Sequence, residues 1–394
     1  MNIKEFYNKK FLVSIEIAKR FLGHQKFQRN FLVFLIIIFI ISSLFCFTVK
    51  YLGMKEVIPW FIGYSDISPF NKIALQPGLP YIDKDVEYPV ITGLFIHLTG
   101  LGKTKENYFL LSSFFLVLFG LLTLITLYKL VLEKGIDKKR LIIFFAAAPS
   151  ILFFMIYNWD LIAIFFTVLS LYFFRQKKDV SAAIFLSLGF NAKLFPILLL
   201  PIMLLKRDSI IKWVKIIFSF FITSIIVNIY FIIKNFDGWL FFYTFNSLRE
   251  PNPDSMWGII YRFSGIEIKL IGLISLVLFL IFYLFIIFYY RKKNIYYLGA
   301  ASILLFLIFN KVFSPQYILW LLPFFILIPK LNKISFYSLE ISNLIVLFSI
   351  LPWIFIIPKI DLFLNISQFF VIVRHIIMIY LVYFILKQQY STNL

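Results

Sequence analysis

The sequence predicts an all-α membrane protein that crosses the bilayer many times. Three observations predict it. Of 394 residues, 61% are hydrophobic and only 15% are charged, whereas soluble domains carry about a quarter charged residues. The mean hydropathy is +0.92. Apolar stretches of about 17 to 22 residues, long enough for a hydrocarbon core about 30 Å thick, recur from Phe31 to the C-terminus. They are continuously apolar, as in Phe31 to Thr48, which excludes the alternating segments of a β-barrel. No polar stretch is long enough to fold separately, so one membrane bundle is expected.

The elements follow in order. Lys4, Lys9, Lys10, Lys19, Arg20, Lys26 and Arg29 make residues 1–30 a basic segment, expected in the cytoplasm because cytoplasmic flanks carry the Lys and Arg. The first span, 31–48, is too long for a signal h-region and no small-residue cleavage pattern follows it, so it is expected to stay as an anchor. The next segment, about 49–106, is then external. Within it Tyr88 to Gly100 is too short to cross and reads as an interfacial helix. Spans at about 107–127, 141–157 and 160–174 follow. Lys129, Lys134, Lys138, Lys139 and Arg140 return the chain to the cytoplasm, as do Arg175, Lys177 and Lys178, with Asn158-Trp159-Asp160 as the external turn between. Ser181 to Leu205 is broken by Gly189, Asn191, Lys193 and Pro196; it reads as two short helices meeting at an external or half-buried elbow.

Spans at about 211–233, 270–290, 295–309, 316–329, 338–357 and 368–386 complete the bundle. The total is about 12 crossings in one domain, 31–387, with a second long external loop at 235–268 and a cytoplasmic tail, 388–394. Most Lys and Arg fall on the cytoplasmic segments, so the net charge of +20 is an orientation signal and implies no nucleic-acid partner. Cys46 is the single cysteine and can form no internal disulfide. Acidic residues gather in the two external loops, where function is expected.

The first of these loops places Asp66 soon after the first span and Asp83, Asp85 and Glu87 near the interfacial helix. Pro69, Pro77, Pro80, Pro89 and Gly78 point to an ordered loop. Asp83-Lys84-Asp85 is a two-carboxylate pattern with no further ligand in view, and no metal or cofactor is expected. Asp160 and Lys193 sit at the end and elbow of apolar helices, where a charge faces a cavity or a partner; they are either site residues or a structural ion pair. Lys311 and Gln316 lie in NKVFSPQY, a short turn between spans. Arg374 and His375 lie inside the last span, and snorkelling to the interface is the plainest role for the arginine. The second loop adds Arg249, Glu250, Asp254 and Arg262 among Trp239, Tyr243, Trp257 and Tyr261. A base beside cationic phosphate binders at the membrane surface is what transfer from a lipid phosphate needs. Nothing matches a Walker A loop, a dinucleotide fingerprint, HExxH or paired CxxC.

At this point the residues resemble a family. DISPF…PGLPYIDKDVEYPVITG, NWDLIAIFFTVLSLYF, GFNAKLFPILLLPIMLLKR and NKVFSPQYILWLLPFF look like successive signature blocks of the GT-C integral-membrane glycosyltransferases. They are most similar to glycosyltransferase family 87, the polyprenyl-phosphate-mannose-dependent mannosyltransferases. The resemblance runs from about Ser65 to Pro323. It implies a GT-C-like bundle whose first external loop carries the catalytic acid, with Asp66 as general base, Lys193 as the lysine of the elbow block, and Ser314 to Tyr317 as the SPQY block. The chain departs from the pattern in having EYPV where a second proline is common.

The resulting expectation is an inverting transfer of a hexose, mannose by the resemblance, from a polyprenyl-phosphate-linked donor to a lipid or glycan acceptor. Lys193, Arg249, Arg262 and Lys311 would bind the donor phosphate. Asp83, Asp85, Glu87, Asp160 and Gln316 would bind acceptor or sugar. The partners are the donor, the acceptor and membrane lipids, at the extracytoplasmic face of a prokaryotic cell membrane with both termini inside. A flippase of lipid-linked sugars would also have many spans and midplane charges, but would show repeated halves, and no such repeat is visible. An interaction subunit would need no clustered external acids and bases.

Overall fold

The computed structural model describes residues 3–355 and 361–388, with side-chain surroundings for 28–354 and 362–388. The end of the expected span 338–357 and most of the 388–394 tail lie outside the described residues. Among the described residues the chain is helical, with no strand beyond an isolated bridge between Pro80 and Lys84.

Six helices are long and apolar enough to cross a membrane: the 28–54 part of α1 (Ile3–Met54), α5 (Lys105–Glu133), α11 (Ile210–Lys234), α14 (Ile268–Tyr289), α17 (Lys333–Phe355) and α18 (Asp361–Lys387). The outer faces of α11 and α14 expose Ile211, Val214, Phe218, Ile225, Ile226 and Ile233, and Leu273, Leu276, Ile281, Phe285 and Phe288. Apolar faces of this extent are matched by lipid chains rather than by water. This is a multi-pass membrane protein.

The remaining expected crossings are shorter or interrupted, and the interruptions have visible causes. The 141–157 stretch is α6 (Lys139–Leu141), a π-helical turn (Ile142–Ala146) and α7 (Pro149–Phe154), restarted by Pro149 at its first position. α8 (Asp160–Arg175) has 16 residues, about 24 Å of rise. α9 (Asp179–Phe190) stops at the Asn191 elbow, after which a 3-10 turn (Phe195–Leu198) leads into α10 (Leu199–Leu205). α15 (Ile295–Phe309) is followed by a 3-10 segment (Pro315–Leu321) and the short α16 (Leu322–Ile326).

Broken helices leave carbonyls short of partners, and Arg140 reaches four at the end of α16. Its guanidinium donates to Phe325 O at 2.6 Å, Ile328 O at 2.7 Å, Ile326 O at 2.9 Å and Pro329 O at 3.0 Å. The planar fork of arginine suits such a cluster. It ties the α6–α7 segment to the end of α16.

The first long loop folds into α2 (Trp60–Gly63), α3 (Asn71–Ala74) and α4 (Val90–Gly100). It docks on the elbow: Ile91 N donates to Asn191 O at 2.9 Å and Thr92 Oγ1 to Ala192 O at 2.8 Å. Gly93 is needed there, because a Cβ would stand 1.9 Å from the Tyr81 hydroxyl. The second loop forms α12 (Phe236–Leu248), capped by Asn235, and α13 (Met256–Ser264), capped by Ser255 and ended by Gly265 in the left-handed region at φ 64°. Trp239 Nε1 donates to Asn228 Oδ1 at 2.8 Å and Asn228 Nδ2 to Asn191 Oδ1, so α12, α11 and the elbow share one polar chain. Both long loops therefore meet over the elbow.

Candidate functional site

The meeting point is a cavity of about 630 Å³. Its walls come from the first long loop, the Asn158 turn, the elbow, α12 with the loop after it, the Asn310 to Trp320 segment and one face of α17. Asp66, Glu87, Lys193, Arg249, Lys311 and Gln316 line it. These residues are separated by up to 250 positions in the chain, and the short turns between broken helices bring them to one place.

Asp66 is clamped at both ends of the residue. Its backbone N–H donates to Tyr157 O at 2.9 Å, and its carboxylate accepts from Asn158 Nδ2 at 2.8 Å and from the Tyr64 hydroxyl. Asn158 also reaches the Tyr88 hydroxyl at 2.9 Å. Burial raises the Asp66 pKa above the usual carboxylate range, against the pull of Asn158, Tyr64 and the Lys193 charge. A carboxylate so raised is a better proton acceptor near neutral pH than an exposed one. Glu87 is raised too, mainly by burial, with Arg249 opposing.

Lys193 lies in an aromatic slot. Its ammonium is 4.8 Å from the centroid of Tyr88 and 5.7 Å from that of Tyr317, and Tyr317 and Phe195 each stack on Trp320, at 4.2 and 4.4 Å. Behind it Asp160 Oδ1 is 3.6 Å from Lys193 Nζ and accepts from Trp320 Nε1 at 2.8 Å. Asp160 itself is 1% exposed and does not line the cavity. Its place at the first turn of α8 sets the carboxylate against the positive end of the helix. The ion pair left open by the sequence is present, and Lys193 still has a face on the cavity.

The other cations differ in their settings. Lys311 donates to Ser247 O at 2.8 Å, and burial disfavours its charge, as does the nearby Arg249. Two like charges on one cavity wall repel until an anion joins them. Gln316 is 2% exposed with its Oε1 unpartnered, an acceptor left for a hydroxyl.

Not every expected residue arrives. Asp83 and Asp85 are exposed and do not line the cavity; the Asp83 carboxylate instead accepts from Leu79 N at 2.7 Å and closes its own turn. Arg262 is exposed on α13, over the Phe263 ring, and also stands outside. Among the described residues no group of three or more His, Cys, Asp and Glu converges as metal ligands do.

Arg374 is a correction. It does not snorkel: it is fully buried, and donates to Asn343 Oδ1 at 2.7 Å and to Asp254 O, over the face of Phe313. Asn343 passes the link on to Pro315 O at 2.8 Å. The last helix thus holds two cavity walls, the Asn252 to Asp254 turn and the start of the SPQY segment. Burial raises the Asp254 carboxyl to about 6, with the Arg374 charge opposing. The sequence signal for this role was an arginine about two turns inside an apolar span, which a snorkelling side chain explains equally well. Arg374→Met should lower thermal stability in detergent by about 3 kcal/mol, since a lost buried charge leaves two acceptors unanswered. A melting temperature unchanged from wild type would refute the strut.

Comparison with known proteins matches residues 87–315 to the family described as glycosyltransferase family 87. No curated protein matches the chain. The matched region holds every cavity wall except the Asp66 loop, the Gln316 to Trp320 stretch and the α17 face.

Proposed function

Because the chain belongs to glycosyltransferase family 87, and is therefore a membrane glycosyltransferase, we propose that it moves a hexose, mannose by preference, from a polyprenyl-phosphate carrier to a lipid or glycan acceptor at the extracytoplasmic face. The observation that carries the reading is the make-up of this cavity. One wall presents a pKa-raised carboxylate, Asp66; others present Lys193, Arg249 and Lys311; and α17 adds an apolar wall of Leu347, Ile350, Leu351 and Ile354. Base, cations and hydrocarbon surface are the three complements of a hydroxyl acceptor, a phosphate leaving group and a polyprenyl chain.

The reaction is one displacement. Asp66 takes the proton of the acceptor hydroxyl as that oxygen bonds to the anomeric carbon. The bond from that carbon to the phosphate oxygen breaks, and polyprenyl phosphate leaves with its charge met by Arg249 and Lys311, aided by Lys193. With no covalent nucleophile the anomeric centre inverts, so a β-linked donor gives an α-linked product. Gln316 and Glu87 would hold sugar hydroxyls. Asp83, Asp85 and Arg262 take no substrate role in this scheme. The basic clusters favour a cavity outside and both termini inside, and the short and broken helices would complete about twelve crossings.

The test is consumption of radiolabelled polyprenyl-phosphate mannose and polyprenyl-phosphate glucose by the purified protein in native-lipid vesicles, with label followed into the lipid and glycan fractions. Transfer of either sugar supports the reading. Label that crosses the bilayer still attached to its carrier would favour a flippase. Arg249→Ala with Lys311→Met should raise the donor KM about tenfold or more, the effect of losing charge-assisted contacts to phosphate. An unchanged donor KM would remove these two residues from the phosphate site.

A further inference from the structure

Lys50 lies near the end of α1, inside a membrane-crossing helix, and is 1% exposed. A buried ammonium is costly unless it is partnered, and its partners are the ones that hold Asp66. Lys50 Nζ donates to Tyr64 O at 2.7 Å, two residues before Asp66. It also sits 5.1 Å from the centroid of the Tyr157 ring. Tyr157 is the residue whose carbonyl accepts from Asp66 N at 2.9 Å and from Ser65 Oγ at 3.4 Å. The two halves of the Asp66 clamp therefore both touch Lys50.

The approach that allows this is built by two glycines. A Cβ on Gly53 would stand 2.5 Å from the Gly63 Cα, so only glycine at both positions lets the end of α1 and α2 press together. That closure swings the chain back, laying Tyr64 over Lys50. The Lys50 charge also interacts with the Asp66 carboxylate across the low-dielectric interior. A neutral donor such as glutamine would satisfy the Tyr64 carbonyl without that charge.

We propose that Lys50 is a positioning residue for Asp66: its buried ammonium fixes the turn that carries the base and sets a positive charge on the far side of that turn, which favours the proton-accepting form of the carboxyl. This rests on Asp66 being the base. Other groups face Asp66 as well, namely Tyr64 from α2's end, Tyr157 and Asp160 around the Asn158 turn, Glu87 and Tyr88 from the first loop, Lys193 from the elbow and Tyr317 from the SPQY segment. Lys193 is thus the second cation at the carboxylate, which is why the test varies Lys50 with Lys193 left intact.

Three variants separate the roles: Lys50→Gln keeps a donor and removes charge, Lys50→Met removes both, and Lys50→Arg keeps both. The first readout needs no turnover. A hydrophobic carbodiimide labels only protonated carboxyls, so labelling of Asp66 against pH, followed by peptide mass spectrometry, reports its protonation midpoint. Lys50→Gln and Lys50→Met should raise that midpoint by about one pH unit, the size of one charge acting at an effective dielectric of about 20, while Lys50→Arg should stay near wild type. The second readout is transfer from polyprenyl-phosphate mannose, where the acid limb of kcat against pH should move up by the same one unit in the neutral variants with donor KM unchanged, the lost rate returning at higher pH.

A wild-type midpoint in Lys50→Gln overturns the inference, and that variant decides the matter should Lys50→Met fail to insert. If Asp66→Asn is inactive while Lys50→Gln behaves as wild type in both readouts, only the role of Lys50 falls. If Asp66→Asn transfers normally, the base has been misassigned, and the part of the proposal that concerns catalysis falls with it.

Discussion

Asp66→Asn is expected to slow sugar transfer by about 10²–10⁴-fold, the usual worth of a positioned proton acceptor. The substitution keeps volume and hydrogen bonding. An amide at this place can still meet Asn158 and Tyr64 after a rotation of either amide, so insertion and donor binding should survive. What is lost is basicity. The pH profile gives the same residue a second signature. Burial raises the Asp66 pKa above the ordinary carboxylate range, and a base works only when deprotonated. Activity should therefore fall as pH drops through that raised value, so the acid limb of kcat/KM lies at higher pH than an exposed aspartate would place it. In Asp66→Asn the residual rate should lose this limb. Glu87→Gln is the necessary companion, because Glu87 lines the same cavity and is raised by the same cause. If Glu87→Gln removes the acid limb and Asp66→Asn retains it, the base is Glu87.

The sequence made the helical class readable because apolar length is a local property, present in each stretch without reference to any other. Asn191 and Pro196 likewise announced where a helix would break, whereas the stretch expected as one span at 141–157 is interrupted before Pro149. The site was readable to the extent that a charge at an apolar border is conspicuous: Asp160 and Lys193 stand out for that reason, and Asp66 through the resemblance of its block. Which neighbours meet was not readable. The Asn158 amide contacts the Asp66 carboxylate across 92 positions, and nothing in either segment encodes that pairing. Glu87 reaches the cavity while Asp85, two residues earlier, faces away from it; in the chain the two are equivalent acidic residues. Lys50 and Arg374 show the opposite difficulty. A lone cation in an apolar helix has an inexpensive explanation in snorkelling, and only the full burial of both side chains rules it out.

Lys193 carries the second large expectation, because two roles meet in it. Lys193→Met leaves the Asp160 carboxylate 1% exposed and without its cation, and breaking a buried pair in this way typically costs about 3–5 kcal/mol. The melting temperature should fall, and transfer should fall by about 10²-fold or more as a cation is removed from the developing phosphate charge. Either loss alone is ambiguous, so the informative variant is the double one. Lys193→Met with Asp160→Asn removes both charges and leaves an amide oxygen in place of the Asp160 Oδ1 to which Trp320 Nε1 donates at 2.8 Å in the parent. Stability should return to within about 1 kcal/mol of wild type, since replacing both members of a buried pair is far milder than removing one. Transfer should not return. A double variant that is both stable and fully active would show that Lys193 serves only to neutralise Asp160, and would leave the leaving phosphate to Arg249 and Lys311. A double variant that stays unstable would mean that the aromatic slot of Tyr88 and Tyr317, which holds the ammonium at 4.8 and 5.7 Å, depends on the charge itself and not on the neutrality of the pair.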